Sequence, residues 1–245
     1  MSPQNNTSQS SLFNALFYPV LIIGALIVIA ILVMSFTGNK RTVPSANENI
    51  SQVNADTMDA LRSTYDERAE SIGHVDAPVT IREFGDYQCP ACGQFESTAE
   101  RLRNEYVDSG QVRFLFFDFP LPMHANAQAA AVAARCAARQ DRFWPYHNRI
   151  YHAQSQWAGE SDPRSTFLDL ALETGLDTGQ LKACMSSDEP VAHINAERDA
   201  GKAIQLRATP TVMVNDTMYT GGQSYDQMKQ AIERALSRQD TSNDG

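Results

Sequence analysis

Apolar and polar positions along the chain fall into blocks with different periods. Residues 15–36 carry no charged side chain and are almost continuously apolar, and about 20 such residues are what a helix needs to cross a bilayer. A cleaved signal peptide would have a basic start, a shorter apolar region and a nearby small-residue cleavage site, and none of these is clear here. The pattern predicts one uncleaved transmembrane helix over residues 15–36, after an N-terminal tail of residues 1–14.

Residues 37–72 are mostly polar. Their first half is rich in Ser, Asn, Thr and Gly without an apolar period, which is typical of a flexible tether. Met58, Leu61 and Tyr65 have helical spacing. We therefore expect a linker over residues 37–72 that contains a short helix, and a folded domain that starts at Gly73.

Two apolar runs of strand type flank a helical pattern. Residues 79–84 and 112–117 are rich in β-branched and aromatic side chains. Between them, Phe95, Ala99 and Leu102 follow the helical period. A strand, a helix and a second strand predict a βαβ unit with a right-handed crossover.

The rest of the chain divides into helical and strand patterns. Residues 124–206 show successive helical periods without strand-like alternation, so we expect a helical subdomain inserted between two halves of a sheet. Asn215 and Asp216 lie between two short apolar runs, which predicts a β-hairpin. A last helix is predicted over residues 225–238, within a domain of residues 73–238, and a loose tail over residues 239–245. The predicted class is α/β.

Charge and cysteine content narrow the function. Twenty Lys and Arg against 29 Asp and Glu give a net charge of −9, and no basic cluster is present, which argues against a nucleic-acid partner. Four cysteines, an even number, suit an oxidising compartment without requiring one.

The flanks of the predicted transmembrane helix give a conflicting indication of orientation. Lys40 and Arg41 follow the helix and no Lys or Arg precedes it, so the positive-inside rule would place the carboxyl side in the cytoplasm. Long domains, however, translocate largely regardless of such charges. The cysteine chemistry instead favours an extracytoplasmic domain.

Cys89-Pro90-Ala91-Cys92 lies between the first strand and the following helix. The first turn of a helix offers unpaired N–H groups and a positive dipole end, which favour a thiolate at Cys89. Pro90 is tolerated there because its missing N–H would have no partner. Half of a zinc site or a structural disulfide are the alternatives, and the strand and helix on either side favour a redox-active pair.

The chain resembles the DsbA-like form of the thioredoxin fold over about residues 73–236. The resemblance rests on four separated motifs: Phe-Gly-Asp-Tyr-Gln-Cys-Pro-Ala-Cys at 84–92, Phe-Pro-Leu-Pro-x-His at 119–124, Cys-Ala-x-x-Gln-x-x-Phe-Trp-x-Tyr-His at 136–147 and Ala-Thr-Pro-Thr at 208–211. It implies a thioredoxin fold with an inserted helical subdomain.

The resemblance also implies roles for individual residues. Cys89 matches the exposed nucleophile of the family and Cys92 the buried resolving thiol. Thr209 and Pro210 match the cis-proline loop, which lies against the cysteines and pairs with the substrate backbone; an ordinary strand-edge proline is the alternative.

Glu83 lies in the apolar strand six residues before Cys89, where the family commonly keeps a buried acid. Strand alternation places Glu83 on the same face as Ile81, pointing inward. A buried carboxylate has a raised pKa and could take the proton from Cys92 when Cys92 resolves a mixed disulfide. A plain salt bridge is an equal alternative.

Cys136 and Cys184 fall on two predicted helices of the insertion. The resemblance favours a second, structural disulfide between them, and a pair of buried free thiols is the alternative. The histidines show no metal-ligand spacing, so we expect no metal and no prosthetic group.

The resemblance implies a membrane-anchored, extracytoplasmic thiol:disulfide oxidoreductase that introduces disulfides into secreted proteins. Its partners would be thiol-containing secreted proteins, the lipid bilayer and a quinone-linked membrane protein that reoxidises it. The Pro-Ala dipeptide between the cysteines lacks the histidine of the most oxidising DsbA proteins. A reductase or isomerase on the same scaffold therefore remains an alternative, and a chaperone-like or zinc-binding module is a more distant one. Pro210 argues against zinc, because a metal site needs no cis-proline beside its sulfurs.

Overall fold

The computed structural model describes residues 49–243, with side chains as far as Gln239. The predicted transmembrane helix over residues 15–36, the tail of residues 1–14 and the start of the predicted linker lie outside the described residues. Within residues 49–243, no helix is long and apolar enough to cross a membrane.

The described residues form strands at both ends of the domain and a run of helices between the fourth and fifth strands. The strands are β1 (Ile50–Gln52), β2 (Glu70–Ile72), β3 (Val79–Gly85), β4 (Val112–Asp118), β5 (Thr211–Val214) and β6 (Thr217–Thr220). The helices are α1 (Ala55–Ala60), α2 (Pro90–Leu102), α3 (Ala127–Ala138), α4 (Phe143–His152), α5 (Gln154–Trp157), α6 (Arg164–Glu173), α7 (Thr178–Met185), α8 (Glu189–Ala203) and α9 (Tyr225–Asn243). The predicted βαβ unit, helical insertion, hairpin and last helix are confirmed.

The strands form one sheet in the order β1-β6-β5-β3-β4-β2. β3 and β4 are parallel, and all other neighbours are antiparallel. In the centre, Ile81 of β3 lies opposite Phe114 of β4 and Val214 of β5. β3, which leads to the cysteine pair, is therefore fixed on both sides.

Both faces of β3 are covered, as parallel strands require. On one face, Ile81 packs in a cluster with Phe95 of α2 and Ile232 of α9. On the other face, Phe84 packs in a cluster with Leu61 and Ala200. The sheet is thus the middle layer between two helical layers.

The predicted linker was wrong from residue 50 onward, because residues 50–72 belong to the folded domain. β1 pairs with β6 at one edge of the sheet and β2 pairs with β4 at the other edge. The predicted short helix is present as α1 followed by a π-helical turn over Leu61–Tyr65, and Met58 and Leu61 are buried. The two strands have three residues each and partly or fully exposed side chains, so their sequence lacks a buried face that could be recognised.

A buried ion pair joins this N-terminal segment to β3. The Arg82 side chain donates from Nε and Nη2 to the two carboxylate oxygens of Asp66, at 2.7 and 2.5 Å. Arg82 is 2% exposed, so a charged residue in the middle of a central strand is paired with a bidentate partner, although its Nη1 has no hydrogen-bond partner among the described residues.

The predicted C-terminal tail from residue 239 was also wrong in part. α9 continues as far as Asn243. A polar sequence is compatible with a helix that keeps one side in water, and no proline or glycine stops the helix before Gly245.

The helical insertion has a core of its own beside the sheet. Tyr146, Trp157 and Phe167 are fully buried in it. A disulfide between Cys136 and Cys184, with a Cα–Cα distance of 5.7 Å, joins α3 to α7.

A second buried ion cluster attaches the insertion to the sheet. Arg135 of α3 contacts Glu70 of β2 at 2.9 Å, Asp118 of β4 at 2.5 Å and Glu197 of α8 at 2.6 Å. Burial raises the pKa of Asp118 to about 7, although the Arg135 charge opposes this shift. The cluster links four elements through one guanidinium.

Candidate active site

The cysteine pair lies at the junction of β3 and α2. β3 ends at Gly85, and α2 begins at Pro90 with Cys89 as its N-cap residue. The backbone N–H of Gly93 donates to the Cys89 carbonyl at 3.1 Å. The strand therefore delivers Cys89 to the positive end of the helix.

Cys89 and Cys92 are free thiols. Cys89 is 7% exposed and Cys92 is fully buried, so Cys89 is the more accessible sulfur. The Cys89 thiol donates to the Thr209 carbonyl at 3.5 Å, and the Asp86 N–H donates to the Cys92 sulfur at 3.5 Å.

The two sulfurs differ in acidity. A hydrogen bond from the Cys92 side chain, assisted by the backbone amides of Cys92 and Ala91, lowers the pKa of Cys89 to about 5. Burial raises the pKa of Cys92 well above its usual value. At neutral pH this arrangement gives a thiolate at Cys89 and a protonated thiol at Cys92.

Thr209 and Pro210 lie beside Cys89, and the peptide bond between them is cis. Besides its carbonyl contact with the Cys89 thiol, the loop is tied to the hairpin because the Gly221 N–H donates to the Pro210 carbonyl at 2.8 Å. The structure therefore brings together Cys89, Cys92, Thr209 and Pro210, which are far apart in the sequence.

Glu83 is fully buried, and neither of its carboxyl oxygens has a hydrogen-bond partner among the described residues. Burial, assisted by repulsion from Glu96 and opposed by Arg103, raises its pKa to about 8. Glu83 is thus a protonated acid at neutral pH, and an ionised Glu83 would raise the pKa of Cys92 further. The alternative of a plain salt bridge is not what these contacts show.

Tyr151 is a further buried group in this region that the sequence did not single out. A Cβ atom at Gly85 would lie 2.8 Å from the Tyr151 hydroxyl and 2.5 Å from the Phe116 ring, so only glycine fits there. The Tyr151 hydroxyl has no partner among the described residues. Burial, followed by interaction with Cys92 and Glu83, raises its pKa well above the usual value.

Asp86 organises the turn before Cys89, and the sequence reasoning missed it. Its buried carboxylate accepts from the N–H groups of Gln88 at 2.8 Å, Cys89 at 3.2 Å and Leu121 at 2.8 Å. It also accepts from Nδ1 of His124 at 2.7 Å. The signal was present, because Asp86 and His124 both belong to motifs quoted for the resemblance.

Two glutamines attach the same turn to the helical insertion. Gln154 Nε2 donates to the carbonyls of Tyr87 at 2.6 Å and Cys89 at 2.9 Å. Gln88 Nε2 donates to the Ala158 carbonyl at 2.7 Å, and Gln88 Oε1 accepts from the Asn126 N–H at 2.6 Å. The helical insertion therefore forms direct hydrogen bonds with the turn that contains Tyr87, Gln88 and Cys89.

Beneath the cysteines lies a buried charged group that the sequence pattern did not reveal. Glu96 of α2 contacts Arg103 at 2.5 Å and His147 of α4 at 3.2 Å. His147 in turn hydrogen bonds to the Tyr87 hydroxyl at 2.8 Å. Burial opposes ionisation of Glu96, but its contacts with His147 and Arg103 lower its pKa to about 2. A carboxylate fixed here disfavours a second charge on Glu83.

Within residues 49–243, no group of three or more His, Cys, Asp and Glu side chains is arranged to hold a metal ion.

Comparison with known proteins matches this chain to a family and to individual proteins. A family model described as Thioredoxin matches residues 66–234. The probable disulfide bond formation protein D of Bacillus anthracis is 31% identical over 173 residues, covering 69% of this chain and 79% of that protein. The disulfide bond formation protein D of Bacillus subtilis is 30% identical over 170 residues, covering 67% and 76%.

A solved structure agrees with these sequence matches. The crystal structure of oxidised BdbD from Bacillus subtilis is 29% identical with a TM-score of 0.63, and the match covers 70% of this chain and 94% of that chain.

Proposed function

Because this chain belongs to the thioredoxin family, as a DsbA-like thiol:disulfide oxidoreductase of the disulfide-bond-forming type, we propose that Cys89 and Cys92 are its redox centre. The observation that carries this proposal is the pair of unequal sulfurs at the start of α2. One sulfur is accessible with a pKa lowered to about 5, and the other is buried with a raised pKa.

The proposed reaction starts from the Cys89–Cys92 disulfide. A substrate thiolate attacks the Cys89 sulfur, a mixed disulfide forms, and the Cys89–Cys92 bond breaks with its electron pair on Cys92. A second substrate thiolate then attacks the substrate sulfur of the mixed disulfide, and Cys89 leaves as a thiolate. The substrate gains a disulfide and the enzyme leaves reduced by two electrons.

Glu83 is the proposed proton donor in the first step. Cys92 leaves as a thiolate in a buried site where a charge is unfavourable. A protonated Glu83, whose pKa is about 8 and whose carboxyl has no other partner among the described residues, can supply a proton to it. Thr209 and Pro210 are proposed to pair with the substrate backbone next to Cys89.

The low pKa of Cys89 favours the oxidase direction. A stabilised thiolate makes the reduced enzyme the more stable form, so the disulfide form is a stronger oxidant. The Pro-Ala dipeptide supports the alternative, a reductase or isomerase, because it lacks a histidine that would add to this stabilisation.

The place and partners of the reaction follow from the same proposal. We place the catalytic domain, residues 50–243, on the extracytoplasmic side of the cell membrane, anchored in the bilayer by residues 15–36. The Cys136–Cys184 disulfide suits that compartment. The substrates are thiol-containing secreted proteins, and a quinone-linked membrane protein accepts the two electrons.

The reduction potential of the Cys89–Cys92 pair tests the direction. The full chain in detergent micelles is equilibrated in glutathione buffers, and free thiols are trapped. A reduction potential of about −120 to −200 mV is expected for a disulfide donor. A reduction potential of about −270 mV would overturn the oxidase direction in favour of a reductase. Cys89→Ser is the control and should abolish the redox transition.

A further inference from the structure

The Leu121–His124 turn, between β4 and α3, has no role in the mechanism above. It forms the end of the Phe-Pro-Leu-Pro-x-His motif at 119–124, in which two prolines restrict the backbone. The N–H of His124 donates to the Leu121 carbonyl at 3.0 Å, which closes the turn. The turn is therefore a defined structure and not a loose connection.

The buried carboxylate of Asp86 joins the Leu121–His124 turn to the turn that precedes Cys89. One carboxylate oxygen of Asp86 accepts from the Gln88 and Cys89 N–H groups, and the other accepts from the Leu121 N–H and from His124 Nδ1. Since an ionised carboxylate only accepts, Nδ1 of His124 carries the proton. Two hydrogen bonds separate the imidazole from the Cys89 amide.

His124 is the one ionisable side chain that contacts the Asp86 carboxylate in the part of the chain described. Asp86 is 1% exposed and the His124 side chain is 20% exposed. A buried carboxylate that loses one of its donors carries a desolvation cost and can rotate to find another. Rotation of Asp86 would release the Gln88 and Cys89 amides.

The residues between the two cysteines include no histidine that could stabilise the Cys89 thiolate. The backbone amides in the first turn of α2 are therefore more important for this stabilisation. The Cys89 sulfur contacts Cys92, Thr209 and the amides of Ala91 and Cys92. The position of these amides depends on how the preceding turn enters α2.

We propose that His124 is a positioning residue for the nucleophile, acting through Asp86 to hold the turn that begins α2 in the orientation that stabilises the Cys89 thiolate. This inference rests on the proposed redox role of Cys89. The Leu121–His124 turn would thus have a function in the active site, and the residue responsible would be His124, which lies outside the cysteine motif.

The test compares His124→Ala, which removes the donor, with His124→Asn, whose amide can replace Nδ1 as donor to Asp86. The full chain in detergent micelles is equilibrated with glutathione, and the thiolate is titrated by its ultraviolet absorbance. In His124→Ala we expect the equilibrium constant to shift about fivefold toward the disulfide form of the enzyme, the effect of about one hydrogen bond. The midpoint of thiolate formation should rise by the corresponding amount, and His124→Asn should stay close to the wild type.

His193→Ala is the matched control, because it also removes a partly exposed histidine that contacts a buried carboxylate, Glu197. It should leave both readouts unchanged. Equal shifts in His193→Ala and His124→Ala, or a His124→Ala protein that matches the wild type, would overturn the proposal.

A measurement on the wild type keeps the proposal testable if His124→Ala does not fold. The Nδ1 proton of His124 should give a slowly exchanging NMR signal in the reduced protein, and a rapidly exchanging proton would overturn the proposal. A wild-type thiol that titrates like free cysteine would instead refute the proposed role of Cys89, whatever His124 does.

Discussion

The side-chain nitrogen of Gln154 lies 2.9 Å from the carbonyl oxygen of Cys89. The helical insertion thus reaches back to the backbone of the N-cap residue of α2. The same nitrogen also donates to the Tyr87 carbonyl, so one side chain secures both ends of the turn. A Cβ at Gly93 would lie 2.6 Å from the Gln154 side-chain oxygen, which explains the glycine directly after Cys92.

We predict that Gln154→Ala slows disulfide exchange with a model peptide by up to about 30-fold, because two hydrogen bonds of about 1 kcal/mol each are lost. The rate is measured by stopped-flow fluorescence. Gln156→Ala is the control, since Gln156 is exposed on the same short helix. Equal effects of the two substitutions would contradict a specific role for Gln154.

We predict that Cys92→Ala raises the pKa of Cys89 above its value of about 5, because the hydrogen bond from Cys92 makes the largest contribution to lowering it. The pH dependence of Cys89 alkylation reports this pKa. Cys92→Ser keeps a donor and should retain a lower pKa than Cys92→Ala. Identical profiles for the two variants would show that the helix N-terminus alone is responsible.

Glu83 should make the protein less stable as the pH rises. Its pKa is raised from 4.5 to about 8 in the folded protein, so between these values the native state binds more protons than the unfolded state. The free energy of unfolding therefore falls with pH in this window, by at most about 1.4 kcal/mol per pH unit for one group. Asp118, whose pKa is raised to about 7, adds a fall of the same sign.

We predict that Glu83→Gln flattens this fall and raises the free energy of unfolding at pH 7.5 relative to the wild type. Urea denaturation at a series of pH values measures it. Glu233→Gln, at an exposed position, should leave the slope as it is in the wild type. An unchanged slope in Glu83→Gln would mean that Glu83 is ionised in the folded protein.

We predict that Asp66→Asn lowers the free energy of unfolding by about 3–5 kcal/mol, because it leaves the buried Arg82 charge unpaired. Asp59→Asn, in the same segment but exposed, should have little effect. If Asp66→Asn were as stable as Asp59→Asn, residues 50–72 would not be a stabilising part of the domain.

We predict that the double substitution of Cys136 and Cys184 by Ser lowers the free energy of unfolding by about 4 kcal/mol in the chain-entropy picture, for a bridge between residues 48 apart in sequence. Urea denaturation measures the loss. The double variant should still react with substrate thiols, since the bridge joins α3 to α7 whereas Cys89 lies at the start of α2. Loss of the exchange reaction in a folded double variant would contradict this separation.

The sequence could predict the strands and helices in which the spacing of apolar residues matches the side chains that are buried in the fold. β3 and β4 are rich in β-branched and aromatic residues, and α2 and α9 have one apolar face, so local pattern and tertiary burial agree. Cys89 and Cys92 were found because their chemistry depends on the adjacent strand and helix, which are local features.

Other parts depended on contacts between distant residues. Glu96 and His147 lie on helices where a polar residue normally faces water, and their burial follows only from their contact with each other. Asp86 looks like a turn residue, and its four donors come from two separate segments. β1 and β2 are too short and too polar to be distinguished from a linker until their partner strands are known.

The two edge strands also impose an order on biosynthesis. The ribosome produces β1 among the first parts of the domain, but its pairing partner β6 is made about 165 residues later, as the separation of Gln52 from Thr217 shows. The sheet therefore cannot be closed at this edge until β6 has been synthesised. We expect β1 to dock only after the catalytic motif and the helical insertion have been synthesised.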